Sequence, residues 1–265
     1  MLNERRLRAE ALGELWTALD VVASTGSTNA DLLARAADAA VPEGQVLVAE
    51  EQTAGRGRLG RTWTSVPGAA LTFSVLLRPA AVPAQRRGWL PLLAGVAVAS
   101  AVRSVAGVEA GLKWPNDVLA GDRKLAGILA EQSPDAAAVV IGVGVNVATP
   151  AGALPVSPAG LPATSLLVEG APVDREPLLL AILAELERWY AAFRADPSPA
   201  RTGLLDAYRP LCVTLGQRVR VELPAGRSLA GTATDIDADG RLLVADGYGG
   251  RLQAVSAGDV VHVRS

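Results

Sequence analysis

Cysteine and histidine are almost missing from this chain of 265 residues: Cys212 and His262 are the sole examples of each. One thiol allows no intrachain disulfide and no cysteine-rich metal site. One histidine, here read as an ordinary strand residue, excludes a multi-histidine zinc site and leaves no case for a Ser–His–Asp triad. Charge of one sign is missing too. The formal net charge is −2, so no global basic field points to nucleic acid or an anionic membrane. Aromatic residues make up 4%. The longest uncharged apolar run, Gly88 to Val102, has fifteen residues, short for a bilayer and suited to a buried helix. Met1-Leu2-Asn3-Glu4-Arg5-Arg6 is followed by no apolar stretch, so no signal peptide is read and a cytoplasmic protein is expected. An enzyme of this composition must work with lysine, arginine, carboxylates, backbone amides and a metal brought by its substrate.

Lysine is the most telling scarcity. Of 25 basic residues, all but Lys113 and Lys124 are arginine. Lysine offers a compact ammonium where arginine offers a wide planar fork. Two lysines close together in a chain that otherwise avoids them mark either a site needing point charges or an accident of composition.

Half of the residues are apolar, enough for one large core or for a large and a small domain. Leu7, Ala11, Leu12, Leu15, Trp16 and Leu19 recur at helical spacing and predict a helix over 3–19. A short strand is expected at 20–23, then a helix opened by a capping box of Thr28 and Asp31. Strands are expected at 45–51, 71–77, 111–114, 117–120, 124–131 and 139–147, with a buried helix at 89–105. A Pro- and Gly-rich crossing follows at 149–164, then a helix capped by Asp174 and running to Arg194, and a shorter one at 204–208. After Cys212 the strands shorten, at 216–223, 229–235, 242–245, 251–255 and 260–263, with turns at Ala225-Gly226, Asp239-Gly240 and Gly249-Gly250. The pattern reads as an α+β domain over 1–212 and a small SH3-like β-barrel over 213–265.

Five short segments carry chemistry. Gly55-Arg56-Gly57-Arg58-Leu59-Gly60-Arg61 alternates glycines, whose backbone amides can approach a ligand, with arginines that grip oxyanions. It lacks the Gly-Lys-Ser/Thr ending of a P-loop. A solvated basic loop or an RNA-contacting Arg-Gly segment is the plainer reading. Gln52 before it adds a polar contact, and Trp63 after it a stacking surface. Lys113-Trp114-Pro115-Asn116-Asp117 brings a cation, an amide and a carboxylate together, suiting phosphate plus Mg²⁺, although Pro-Asn-Asp is also an ordinary turn. Lys124 opens a strand in which Gly127 permits close approach of a ligand. Gly142-Val143-Gly144-Val145-Asn146 holds two strand glycines that mark a bulge or a ligand against the backbone. Ser27-Thr28-Asn29 stands at a helix start, where capping alone would explain it.

Taken in order, these segments resemble the biotin protein ligases from about residue 20 to 147 and, more weakly, through the C-terminal barrel. The resemblance implies a mixed sheet with flanking helices of the class II synthetase or biotin-ligase kind. It implies ATP and biotin as substrates, Mg²⁺, and a biotin carboxyl carrier domain of an acyl-CoA carboxylase as partner. It implies that Ser27, Thr28, Gln52, Gly55, Arg56, Lys124, Gly127 and Gly142 form the biotin shell. Arg58, Arg61, Trp63, Lys113, Asn116 and Asn146 fall to the nucleotide and Asp117 to the metal, with Lys124 and Arg56 as catalytic residues. Trp63 would stack on adenine and Asn146 hydrogen-bond to it. Only 26 residues precede Ser27, too few for the helix-turn-helix of bifunctional members, so no nucleic-acid or membrane partner is expected. A monomer or weak homodimer is expected. A lipoate or octanoate ligase of the same fold, a non-catalytic biotin-binding regulator and an RNA-binding module are the alternatives.

Overall fold

In the computed structural model, residues 1–155, 161–223, 227–246, 250–256 and 258–262 are described. The expected turn at Ala225-Gly226, Gly249, Val263 and the middle of the 149–164 crossing lie outside them. A seven-stranded mixed sheet takes the order β1-β2-β3-β7-β6-β5-β4. Its strands are β1 (Ala18–Val22), β2 (Gln45–Ala49), β3 (Ala70–Leu77), β4 (Ala110–Lys113), β5 (Asp117–Ala120), β6 (Arg123–Gln132) and β7 (Val139–Asn146). β1 and β2 pair in parallel, while the other neighbours pair antiparallel.

Helices cover both faces. Among the described residues they are α1 (Glu4–Ala11), α2 (Thr28–Ala36), α3 (Trp89–Ala106), α4 (Arg175–Ala195) and α5 (Leu204–Leu211). The main core lies between α3, α4 and one sheet face, which contributes Phe73, Val75, Ile128, Ile141 and Val143. α2 covers the other face through Leu32 and Ala36 on Leu47, Leu76 and Val140. Burial from both sides explains why β3 is apolar but for Thr72 and Ser74, with every residue buried. The stretch Ala84–Ala106 is long and apolar enough to cross a membrane, but 67% of its apolar window is buried inside the fold.

Beyond the main sheet, β8 (Arg218–Glu222), β9 (Ser228–Ile236), β10 (Leu242–Asp246), β11 (Leu252–Val255) and β12 (Asp259–His262) form an antiparallel sheet in the order β11-β10-β9-β8-β12, as expected of an SH3-like barrel. It seats on the larger part through indoles. Trp89 Nε1 donates to the carbonyls of Asp237 and Ala238 at 3.2 and 3.1 Å, and Trp114 Nε1 to that of Gly240 at 3.1 Å.

The first helix departs from expectation. It ends at Ala11, where Leu12 turns to extended backbone, and β1 begins at Ala18. Leu7, Leu15, Trp16 and Leu19 are all buried as their spacing implies. Leu15 and Trp16, however, reach α4 from a turn, with Trp16 Nε1 donating to Leu183 O at 3.1 Å. The capping box is also displaced. Ser27, not Thr28, caps α2, accepting from Ala30 N. Asp174 stands at the start of α4 without a side-chain capping bond.

Candidate active site

The alternation of strand side chains assembles the site. On the sheet face turned towards α2, small and polar residues replace apolar ones. They are Thr72 and Ser74 of β3, Gly127 and Glu131 of β6, and Gly142, Gly144 and Asn146 of β7, with Leu129 the apolar exception. Ser74 lies opposite Gly142 and Thr72 opposite Gly144. Above them opens a cavity of about 1210 Å³. Its walls include Ser27 and Thr28 of α2, Gln52, the Gly-Arg loop, the 113–117 turn, Lys124, and Arg220 and His262 of the C-terminal sheet. Every expected site residue except Gly55 lines it. Gly55 is packed behind the loop, where a Cβ would meet Trp63 O at 2.3 Å, and it faces a smaller recess.

The two strand glycines mark no bulge, since β7 keeps its register with both neighbours. They make room instead. A Cβ on Gly142 would meet Asn29 Oδ1 at 2.2 Å, and one on Gly144 would meet Trp63 Cε2 at 2.3 Å. Gly127, paired with Gly144, completes a flat shelf under the Trp63 indole. Lys124 Nζ stands 5.9 Å from the centre of that ring. The indole N–H is buried and has no acceptor among the described residues.

The Gly-Arg loop leaves β2 and folds on itself, with Gly57 N donating to Arg61 O at 2.7 Å. Leu59 at its tip takes left-handed backbone with φ 56° and is exposed. Arg58 reaches inward and donates to Asn116 Oδ1 at 3.1 Å and to Gly258 O at 3.5 Å, tying loop, turn and C-terminal sheet together. Arg56 approaches Glu131 at 3.3 Å.

Cations dominate the far end. Lys124 Nζ lies 2.6 Å from Asp117 Oδ1. Burial lowers the Lys113 ammonium below the ordinary lysine pKa; Asp117 opposes this shift, and Lys124 and Arg61 reinforce it. Burial likewise lowers His262, with Lys113 adding to the effect. A polyanion would relieve this crowding. Among the described residues no three His, Cys, Asp or Glu side chains gather to hold a metal. Asp117, a single carboxylate beside Lys113 and Lys124, suits a Mg²⁺ held by one carboxylate and by substrate phosphates, the usual manner of that ion. Asn146 Nδ2 donates to Thr164 O at 2.9 Å, whereas its Oδ1 is buried and unpartnered, an acceptor free for a ligand donor.

Two participants escaped sequence reasoning. Ser74 sits inside an apolar strand with nothing in the pattern to single it out. The 161–167 segment pairs with the backbone of Lys124 (Lys124 N to Pro162 O, 2.7 Å) and brings Leu161 and Ala163 to the cavity wall.

A glycine shelf in a mixed sheet, facing a cationic cavity, is an arrangement suited to joining a carboxylate to a nucleotide. Residues 21–146 match the Biotin/lipoate A/B protein ligase family, and residues 214–263 match the Biotin protein ligase C terminal domain. The chain is 50% identical over 270 residues to the biotin--[acetyl-CoA-carboxylase] ligase of Mycobacterium tuberculosis, covering 99% of this chain and 96% of that one. It is 33% identical over 252 residues to the bifunctional ligase/repressor BirA of Escherichia coli, covering 92% of this chain and 73% of that one. Among solved structures, the biotin protein ligase from Aquifex aeolicus in complex with biotin and ATP superposes with a TM-score of 0.77 at 28% identity, covering 94% of this chain and all of that one. The chain belongs to the biotin protein ligase family.

Proposed function

We propose that this protein condenses biotin with ATP to biotinyl-5′-AMP and transfers the biotinyl group to a lysine of a biotin carboxyl carrier domain. One observation carries the reading: five segments distant in sequence line a single cavity that holds both hydroxyl and amide side chains (Ser27, Thr28, Gln52) and a crowd of cations (Lys113, Lys124, Arg61). The match of residues 214–263 to a biotin ligase C-terminal domain favours biotin over lipoate.

In the first half-reaction a biotin carboxylate oxygen attacks the α-phosphorus of ATP, and the bond to the β-phosphate oxygen breaks, releasing pyrophosphate. In the second, the carrier amine attacks the acyl carbon, AMP leaves, and the amine loses a proton. Both gather negative charge in one place, so catalysis is positioning and electrostatic stabilisation. Lys124 bridges the biotin carboxylate and the α-phosphate, giving up its contact with Asp117. Arg56 holds the biotin side with Ser27, Thr28, Gln52, Gly127 and Gly142. Arg58, Arg61, Lys113 and Asn116 hold phosphates, Asn146 accepts from the adenine amine, and Trp63 stacks on the base after leaving the glycine shelf. Asp117 holds Mg²⁺, which supplies charge neutralisation when bound. We read the enzyme as cytoplasmic, where ATP and a carrier protein are at hand, and as a monomer or weak homodimer.

Exchange of labelled pyrophosphate into ATP tests the reading. Exchange supported by biotin and not by lipoate is expected; the reverse would overturn the assignment.

A further inference from the structure

A chain of buried and half-buried side chains runs from the cavity to the Gly-Arg loop, and its protons can be counted. Asn29 Nδ2 donates to Leu129 O at 3.1 Å and to Glu131 Oε2 at 2.8 Å. Both are acceptors only, so the amide cannot be turned over, and Asn29 Oδ1 must face Ser74. Ser74 spends its single proton on that oxygen at 2.6 Å. The next hydroxyl, Thr28 Oγ1, lies 2.7 Å from Ser74 Oγ and 3.0 Å from Gln52 Oε1. Gln52 Oε1 is itself fixed as an oxygen, because Thr28 N donates to it at 2.8 Å. Three oxygens in a row thus share the one proton of Thr28. Wherever that proton sits, one oxygen–oxygen contact lacks a donor.

The shorter contact claims it. Ser74 is completely buried and beyond reach of a ligand, whereas Thr28 and Gln52 line the cavity. The proton therefore points at Ser74, and Thr28 Oγ1 and Gln52 Oε1 are left as a pair of acceptors.

We infer that Ser74, Asn29 and Glu131 act as specificity-determining positioning residues: by fixing the direction of the hydroxyl chain they make Thr28 and Gln52 a reader of a ligand N–H donor. This rests on the proposed biotin activity and deepens it. The ureido ring of biotin offers such a donor, and the dithiolane ring of lipoate offers none. A site built to hydrogen-bond a substrate N–H rejects an analogue lacking it, because its acceptors are then stranded.

The experiment compares biotin with its two cyclic carbamate analogues, each having one ureido N–H replaced by oxygen, in pyrophosphate exchange. For the wild-type enzyme one carbamate should show a KM at least ~10-fold above that of biotin, about the worth of one hydrogen bond. Ser74→Ala frees the Thr28 proton for Gln52 and fills the reader from within. The biotin KM should rise ~10-fold with kcat nearly unchanged, and discrimination against that carbamate should collapse. Ser74→Cys keeps the shape with a weaker acceptor and should fall between, so that the ranking survives if the alanine variant is poorly folded. Glu131→Gln still offers Asn29 a carbonyl and should keep the discrimination. If wild type uses biotin but treats both carbamates alike, or if Ser74→Ala and Ser74→Cys leave the KM ratio unmoved, the inference fails. A wild-type enzyme that exchanges with lipoate and not with biotin would instead sink the functional reading itself.

Discussion

At the scale of single residues, the two lysines stand apart from the 23 arginines around them. Lys124 contacts Asp117 and lines the cavity. A guanidinium at that position conserves charge but is too wide to sit between a carboxylate and a phosphate. Lys124→Arg should therefore fold and yet lose ~100–1,000-fold in adenylation, the usual effect of removing a donor aimed at developing charge. Transfer from pre-made biotinyl-AMP should suffer less, and assays of both half-reactions on the same variant measure the difference. Lys113 carries a pH dependence. Its folded pKa is lowered, mainly by burial, and only the protonated form attracts the triphosphate. As pH rises through that lowered pKa the ammonium is lost, so the ATP KM should climb at a pH below the ordinary lysine range. In Lys113→Arg, which stays charged, the climb should be absent. KM measured from neutral to alkaline pH for both proteins decides it.

At the scale of elements, the glycine shelf and the Gly-Arg loop work as a pair. β6 and β7 supply Gly127 and Gly144 opposite one another, and Trp63 at the end of the loop lies across them. Gly144→Ala places a methyl 2.3 Å from the indole, and overpacking of this kind costs ~1–3 kcal/mol. A lowered melting temperature and shifted tryptophan emission should report the displaced ring. The loop itself is held by few apolar contacts and ends on an exposed Leu59. Its amides should exchange quickly in the free enzyme and slow sharply once biotinyl-AMP forms. Equal protection in both states would show a preformed loop.

At the scale of the whole molecule, the C-terminal sheet is part of the site. Arg220 and His262 line the cavity, and Trp89 and Trp114 seat the 237–240 turn against the larger part. Gly88 and Gly240 allow that seat, for a Cβ on Gly88 would meet Asp239 O at 2.5 Å. Trp89→Phe keeps an aromatic ring and removes the donor, while Asp237 O still accepts from Gly240 N and Ala238 O from Arg86; a loss of ~0.5–1.5 kcal/mol is expected. Denaturant unfolding followed by fluorescence and by circular dichroism should stay a single transition in the wild-type protein. Two resolved transitions would mean that the seat does not couple the two sheets.

By itself the sequence determined what depends on residue type and short spacing. The scarcity of Cys and His, the isolated lysines, the Gly-Arg loop and the Lys-Trp-Pro-Asn-Asp turn are local, and their chemistry follows from the residues whatever the fold. The strands over 124–131 and 139–147 were also legible as apolar runs. Tertiary structure decided what depends on contact across the chain. The helical spacing of Leu15 and Trp16 reported burial correctly but not helix, because α4 offered them a partner that a turn could reach. Ser74 looked like one more residue of an apolar strand until Asn29 and Thr28 were packed on it. Gly142 and Gly144 looked like a bulge or a place for a ligand against the backbone until Asn29 and Trp63 were packed above them. A hydrogen-bond direction, like a cavity wall, is a property of neighbours that the order of residues does not bring together.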